Sequence, residues 1–423
     1  EAGCTGYPDR TGAFVTAKKC KVRGAFSREA FANQEAKIVS AINALGADVV
    51  ALEEIENPVA VGVGSDRDAA LARLVTALNE ALGSDVWAYV PSPPTIPAGE
   101  DVIRVAFIYK TAAVTPVGDS VIHDDAAFSG LARQPLAQEF ARRTTERASA
   151  PSFVVIANHF KSKGSVPEGA GEGNTDSGDG QGNANAIRVA QASSLASFAA
   201  RYADKPTLLV GDFNSYSQED PIKTIEGAGW ERVSGSGEPS YVYAGRSGSL
   251  DHVFANAAAT PLVAGVTSWA VNAQESIAFE YSRAGMNAHL AVEAEGPYRS
   301  SDHNPEIIGL RLLEGAPTPG DEPVPAVTPG PETGTTPTPA TSPVPAGPRP
   351  HSATTSAPRV TTRAATASSR GKRPGNRASP ASARALARTG ASTELAIGAG
   401  FLLALAGLAA RGAACRRLGA PQR

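Results

Sequence analysis

Three cysteines, one methionine and three tryptophans are all that 423 residues hold of those types. So few cysteines exclude a scaffold stapled by many disulfides. Cys4 and Cys20 lie close together near the start and form a plausible disulfide in an exported protein, whereas Cys415, beyond an apolar segment, would see a reducing compartment. Aromatic residues make up only 6% of the chain, and no exposed apolar hairpin is legible, which argues against a surface built to enter a bilayer. No internal repeat and no signal peptide are visible. The first residue is Glu1 rather than Met, so a leader has been removed or the sequence is a fragment.

Charge is scarce in one place and concentrated in another. No acid occurs between Thr333 and Thr393. After Gly315 stand 13 of the 39 Lys and Arg and 4 of the 42 Asp and Glu, which leaves 26 and 38 for residues 1–314, a net charge of −12. An acidic domain does not hold nucleic acid by simple charge attraction to the backbone. Carboxylates gathered about divalent cations would instead bring an anionic substrate in through the metal. A solvated acidic surface accounts for most of these charges in any case.

What is present is an alternation of apolar runs. Residues 1–28 lack periodicity and read as a loop. Phe31, Ile38, Val39, Ile42 and Leu45 recur at helical spacing over 29–46, and Leu71, Leu74, Val75, Leu78 and Leu82 do so over 67–83; each stretch ends at a glycine. Ile187, Ala190, Leu195 and Phe198 mark a third helix over 187–202. Strands are expected at 49–52, 102–109, 136–140, 153–157, 207–210, 250–254 and 307–312. Residues 164–185 form a polar Gly/Asp/Asn-rich loop. Helices alternate with strands in places, and elsewhere strands follow one another directly. That pattern suits an α/β sandwich with two sheets face to face and helices outside.

Four stretches put polar groups at the mouths of these strands: Leu52-Glu53-Glu54-Ile55-Glu56-Asn57, Asn158-His159-Phe160-Lys161, Gly211-Asp212-Phe213-Asn214 and Ser300-Ser301-Asp302-His303-Asn304-Pro305. Hydrolysing a phosphodiester requires an in-line water, neutralised phosphate oxygens and a protonated leaving oxygen. A divalent ion held by carboxylates supplies Lewis acidity, and a histidine oriented by an acid does proton work. Glu54, Asp212, Asn214, Asp251, Asp302, His159 and His303 are the groups on offer. Glu53 and Glu56 read as neighbours without a role, and His252, next to Asp251, as a core residue on the opposite strand face. His123, His289 and His351 carry no motif. Lys161 and Lys163 face either phosphate or solvent. Asp176, Asp179, Asn183 and Asn185 are dense in oxygen, but their spacing fits no EF-hand, so a plain loop is expected there rather than a Ca²⁺ site.

In this order the motifs resemble the endonuclease/exonuclease/phosphatase superfamily of DNase I-like enzymes, closest to its bacterial extracellular nuclease (ExeM-like) branch, across roughly residues 1–313. The resemblance implies a four-layer α-β-β-α sandwich over residues 1–314. It implies that Glu54 and Asp302 hold metal, Mg²⁺ with Mn²⁺ or Ca²⁺ as alternatives. His159 would act near the leaving group. Asp212 and Asn214 would align or deprotonate the attacking water, and Asp251 would orient His303, which contacts the phosphate. Arg133 in Ala-Arg-Gln-Pro-Leu is similar to a phosphate-contacting arginine, with Lys161 beside it. One departure stands out. Members of the family open with a central strand carrying an Asn ligand, and nothing precedes Glu1 to supply either.

Beyond residue 314 a Pro/Thr/Ala-rich stretch, 315–385, cannot bury enough apolar area to fold and reads as an extended basic spacer. Residues 386–423 then carry Leu386-Ala387-Arg388-Thr389-Gly390, the apolar run Leu395–Ala410, and a tail with Arg411, Arg416, Arg417 and Arg423. As a helix, the apolar run would span about 24 Å, short of the roughly 30 Å hydrocarbon layer. The arrangement resembles a sortase sorting signal. It implies cleavage between Thr389 and Gly390 and transfer of Thr389 to the peptidoglycan of a Gram-positive bacterium, with residues 395–410 holding the chain transiently at the membrane. The whole reads as a monomeric, wall-anchored extracellular nuclease acting on DNA, with RNA as a second substrate. Two alternatives stay open: a phosphomonoesterase or phospholipid phosphodiesterase on the same fold, and a truncated surface protein that binds DNA without turnover.

Overall fold

The computed structural model describes residues 4–8, 12–143, 151–235, 239–281 and 296–312. All of them fall in the first of two compact units, Glu1–Pro319; the second, Gly320–Arg423, lies outside them. The expected spacer, the pentapeptide with Thr389 and Gly390, the apolar run 395–410, His289 and His351 are therefore outside the described residues.

The N-terminal stretch is not the loop that its sequence suggests. β1 (Thr5–Pro8) and β2 (Phe14–Lys18) pair as an antiparallel hairpin, and Cys4 and Cys20 join beside it as a disulfide. Phe14 packs edge-on against Phe26. The hairpin lacks the apolar/polar alternation that makes a strand legible. α1 (Arg28–Ala44) begins at Ser27, whose Oγ accepts a hydrogen bond from the Ala30 N–H, satisfying one of the donors a helix start leaves free. β3 (Val49–Glu56) follows, then the single turn α2 (Pro58–Val61) and α3 (Ala69–Leu82), which stops where Gly83 takes the left-handed conformation. β4 (Trp87–Tyr89), β5 (Ile103–Lys110), β6 (Val114–Ile122), β7 (Arg133–Arg142) and β8 (Ser152–His159) come next. After the polar loop come α4 (Asn185–Ala199), β9 (Thr207–Asp212), α5 (Asp220–Gly227) and β10 (Glu231–Arg232). The last strands are β11 (Tyr241–Tyr243), β12 (Arg246–Gly248), β13 (Asp251–Ala255), β14 (Val263–Ser268) and β15 (Glu306–Leu310).

The main sheet is mixed, with strand order β10-β13-β9-β8-β7-β6; β8 and β9 are parallel and the other pairs antiparallel. Opposite it lie β3-β5-β4 and, separately, β14-β15. Among the described residues no strand pairing joins β3 to β15.

Among the described residues four apolar clusters separate the layers, one of them setting Leu208, Val253 and Ala255 of the main sheet against Val263, Val266 and Ile308 of β14 and β15. Val39, Ile42, Leu71, Val75 and Leu78 of α1 and α3 pack on Ala106 and Ile108 of β5. Val105 and Phe107 on the other face of β5 meet Leu136, Phe140, Phe153 and Val155 of the main sheet. The far face of that sheet, through Val154, Ile156, Leu209 and Phe254, is covered by Leu195 and Phe198 of α4 and Ile222 and Ile225 of α5. The order is helix, sheet, sheet, helix. Phe107 and Phe140 meet edge-to-face, 5.7 Å between ring centroids, at the centre of the inter-sheet core. Truncating either to alanine costs about 3–5 kcal/mol. Among the described residues no helix is long and apolar enough to cross a membrane.

Candidate active site

Register builds the site. Arg133 at the start of β7 pairs with His159 at the end of β8, His159 with Asp212 at the end of β9, and Asp212 with Asp251 at the start of β13. Residues directly opposite in a ladder share a face of the sheet, and neighbouring strands lie about 4.8 Å apart. Four functional groups from four strands therefore form one row along the edge of the sheet.

His303 reaches this row from the loop before β15. Its Nδ1 lies 2.7 Å from Asp251 Oδ2. The same oxygen accepts a 2.6 Å hydrogen bond from Ser240 Oγ–H, and Ser240 Oγ in turn accepts from the Leu250 and Asp251 N–H groups. Burial opposes charging of the imidazole, but Asp251, Asp212 and Asp302 outweigh it and raise the His303 pKa to about 10. It is an imidazolium at neutral pH. Two buried amides fix the loop. Asn304 Oδ1 accepts from the Asn272 and Ala273 N–H groups, and Asn272 Nδ2 donates to the His303 carbonyl. Sequence reasoning assigned no role to Ser240, Asn272 or Asn304; the first two lie where no strand or helix period marks them.

Asp212 is buried, and its carboxylate is held on both sides by Asn214. The Asn214 N–H donates to Oδ1 (2.6 Å) and its Nδ2 donates to Oδ2 (2.9 Å). Asn214 achieves this by adopting φ +47°, a conformation that asparagine tolerates better than most residues. Burial and the Asp251 charge raise the Asp212 pKa to about 7. His159 Nε2 lies 3.4 Å from Asp212 Oδ2. Burial, with the Arg133 and His303 charges, holds the His159 pKa well below the usual histidine value, so its ring is neutral. Its Nδ1 is buried without a partner. Arg133 donates to the Phe160 carbonyl at 2.8 Å, as does Asn214 Nδ2 at 3.1 Å, while Arg133 Nε is buried and unpartnered.

The acidic stretch on β3 departs from its sequence reading. Register shifts between Leu52 and Ile55, and Glu54 sits at φ +59°. This bulge breaks the strict alternation of faces. Glu53, expected to have no role, turns into the centre. Burial, then the charges of Asp251 and Asp212, raise its pKa well above the usual value. Its carboxylate lies against Gly211, where a Cβ would come within 2.6 Å of Glu53 Oε1 and 2.2 Å of the Asn158 carbonyl. Glu54 has solvent-exposed surface, yet its carboxylate is recessed. Burial raises its pKa, Arg133 opposes, and Asp302, exposed at the rim, raises it further.

Among the described residues, one group of three offers metal-ligating atoms all within 4.8 Å of one another: Asp212, Asp251 and His303. The donor set suits a hard divalent cation on its carboxylate side. Because Asp251 already occupies His303 Nδ1, the cation and the imidazole proton compete there.

The remaining candidates settle into structural places. His252 is buried, its Nε2 2.8 Å from the Ser215 carbonyl, and burial lowers its pKa to about 4. His123 stacks on Phe198. Lys161 is half-buried at the rim, its Nζ donating to the Ser162 carbonyl. Lys163 pairs with Glu219. Asp176 and Asp179 accept from the Gly178 and Gln181 N–H groups, and Asn183 Oδ1 accepts from the Asp176 N–H, so their oxygens close turns rather than converge on one point.

The sequence signature of the endonuclease/exonuclease/phosphatase family matches residues 22–303. The chain belongs to that family. Members of this family are typically metal-dependent phosphoester hydrolases, and the register sets Arg133, His159, Asp212 and Asp251 in one row as the candidate site. No curated protein matches the chain. Among solved structures, an endonuclease/exonuclease/phosphatase from Bacteroides vulgatus is 13% identical over 67% of this chain and 92% of that one, with a TM-score of 0.40. A mannosyl-6-phosphatase of Bacteroides thetaiotaomicron is 11% identical over 66% and 91%, TM-score 0.38. ANGEL2, a 2',3'-cyclic phosphatase, is 14% identical over 65% and 84%, TM-score 0.39.

Proposed function

We propose that the chain is an extracellular nuclease that hydrolyses phosphodiester bonds of DNA, with RNA as a second substrate. The observation that carries this reading is the pairing, within one row and its neighbour, of a carboxylate poised near neutrality (Asp212) with an imidazolium (His303), beside an arginine that keeps a buried donor free. Titratable groups whose environments push their pKa values apart mark the base and the acid of a reaction.

A divalent cation, Mg²⁺ in this reading with Mn²⁺ or Ca²⁺ as alternatives, would supply Lewis acidity and charge neutralisation when held by Asp212 and Asp251 and, from the rim, Glu54 and Asp302. The chain's own groups do the rest. Asp212 takes the proton of the attacking water, with Asn214 holding the carboxylate in place. Arg133 offers its free Nε–H to a phosphate oxygen, and Lys161 adds charge at the rim. The Asp251-oriented His303 N–H stabilises the negative charge that builds on the phosphate. Neutral His159 donates a hydrogen bond toward the leaving oxygen, which takes its proton from solvent as it departs.

Two observations support placement outside the cell. The Cys4–Cys20 disulfide belongs to an oxidising compartment. The order of pentapeptide, apolar run and basic tail fits a chain that sortase cleaves after Thr389 and joins to peptidoglycan. Plasmid cleavage in Mg²⁺, with EDTA and His159→Ala as controls and p-nitrophenyl phosphate alongside, tests the chemistry. Cleavage lost with EDTA and in the variant establishes the nuclease. Turnover of the monoester alone transfers the site to phosphomonoesters, and binding of plasmid without turnover of either leaves a surface DNA-binding protein. Release of Thr389→Ala/Gly390→Ala protein into the medium, with the parent in the wall fraction, is the outcome expected for anchoring.

A further inference from the structure

A short hairpin stands beside the site and belongs to neither large sheet. β11 and β12 pair only with each other, Tyr243 opposite Arg246 and Tyr241 opposite Gly248. The two-residue turn between them, Ala244-Gly245, has φ +50° and +76°, both left-handed, which matches the twist of a tight hairpin and fixes this register. Tyr241, Tyr243, Arg246 and Gly248 therefore share one face.

That face leads away from the reaction centre in steps. The Tyr241 ring lies 4.5 Å from the His303 ring, centroid to centroid. Tyr243 follows at 6.4 Å, within 11° of parallel to Tyr241. Tyr216, four residues beyond Asp212, lies over Gly248. A Cβ at Gly248 would come within 2.7 Å of the Tyr216 ring, so this glycine makes room for the ring. Lys163 Nζ, paired with Glu219, sits over the Tyr216 ring, 4.4 Å from its centroid. Tyr243 is 66% exposed, the most exposed of the large hydrophobic side chains among the described residues. No apolar pattern in the sequence marks this exposed hairpin, which is tipped by a single tyrosine.

We propose that Tyr241, Tyr243 and Tyr216 form a stacking platform for unpaired nucleobases next to the scissile phosphate, with Arg246 beside the backbone, so that the preferred substrate is single-stranded nucleic acid. The proposal rests on the phosphodiesterase reading above and names its substrate class. Aromatic side chains hold single strands because every base offers a π-face, whatever its identity. In a duplex those faces are already stacked within the helix. A bilayer fits the hairpin less well: the neighbours of Tyr243 are Ala244, Gly245, Arg246 and Ser247, which offer little apolar bulk to insert.

The test uses the full chain in EDTA, where binding is read without cleavage. Fluorescence anisotropy compares an oligothymidylate with an abasic oligomer of equal length and charge. Wild type binds the base-bearing strand roughly 10-fold more tightly, and Tyr243→Ala or Gly248→Val brings the two within about 2-fold, while Tyr243→Trp keeps the preference. Equal affinity in the wild type, or a preference that survives both variants, overturns the platform. So does an absent base preference combined with Tyr243-dependent binding to sphingomyelin/phosphatidylcholine vesicles, which would assign the hairpin to a membrane. Adding Mg²⁺ separates the two readings. Base preference without cleavage leaves the platform and removes the nuclease; cleavage without base preference does the reverse.

Discussion

Asp251 Oδ2 and His303 Nδ1 meet at 2.7 Å across a sequence separation of 52 residues. One comes from the first residue of β13, the other from a loop stapled by buried asparagines. Their union creates a cation next to Asp212 that neither segment holds alone. Asp251→Asn is expected to return His303 toward an ordinary histidine pKa and to lower kcat by about 10²- to 10⁴-fold. The His303 pKa is raised on folding, so its stabilisation is fully present below the unfolded value near 6.5 and is lost as pH rises through about 10. Thermal midpoints should therefore fall across that window in the wild type and stay flatter in Asp251→Asn; histidine NMR titration checks the pKa directly.

The pH–rate profile should be bell-shaped. Asp212 works as the carboxylate, so kcat/KM rises as pH passes about 7. His303 works as the imidazolium, so the rate falls as pH passes about 10. A bound cation favours the ionised Asp212 and competes with the His303 proton for the same carboxylates, so raising the metal concentration should move both limbs downward. Asp212→Asn should remove the acidic limb along with most activity. Rates on a small phosphodiester, recorded across pH at several Mg²⁺ concentrations, decide this.

Gly211 has φ +118°, and a Cβ there would sit 2.2 Å from the Asn158 carbonyl and 2.6 Å from Glu53 Oε1. Gly211→Ala should cost about 3 kcal/mol or more, from backbone strain and displacement together. Denaturant unfolding measures it. Gly118→Ala, also at positive φ but in open space, should cost less.

Reduction of Cys4–Cys20 releases a loop with a sequence separation of 16. The chain-entropy estimate for such a loop is about 3 kcal/mol. The paired Cys4→Ser/Cys20→Ser variant should melt earlier than the oxidised parent and lose protease resistance first around β1 and β2. Turnover below the melting temperature should stay within about 2-fold, because no group of the reactive row comes from that hairpin.

Strand-mouth chemistry was legible where an apolar run ended abruptly in polar residues. Asn158-His159 and Gly211-Asp212-Phe213-Asn214 follow Phe153–Ala157 and Thr207–Val210, and the register places His159 beside Asp212. Glu53 was misread because a bulge, invisible in an alternating pattern, turns it inward. Ser240, Asn272 and the β11–β12 hairpin escaped notice for a different reason. They act through contacts distant in sequence, and their segments carry no apolar period to align them. β1 and β2 were missed because four- and five-residue strands of mixed polarity depend on pairing and on a crosslink rather than on a buried face.

Arg133, His159, Asp212 and Asp251 belong to strands whose ladders are covered by core on both faces, β13 by Val263, Val266 and Ile308 of β14 and β15 on one side. Such backbone amides exchange with solvent only when the whole domain opens. The four groups of the row are then held as firmly as the domain itself, and their loss on heating should accompany loss of the fold. Adaptability lies in the tyrosine hairpin, whose two strands pair only with each other, so that its residues can change while the row behind it keeps its spacing.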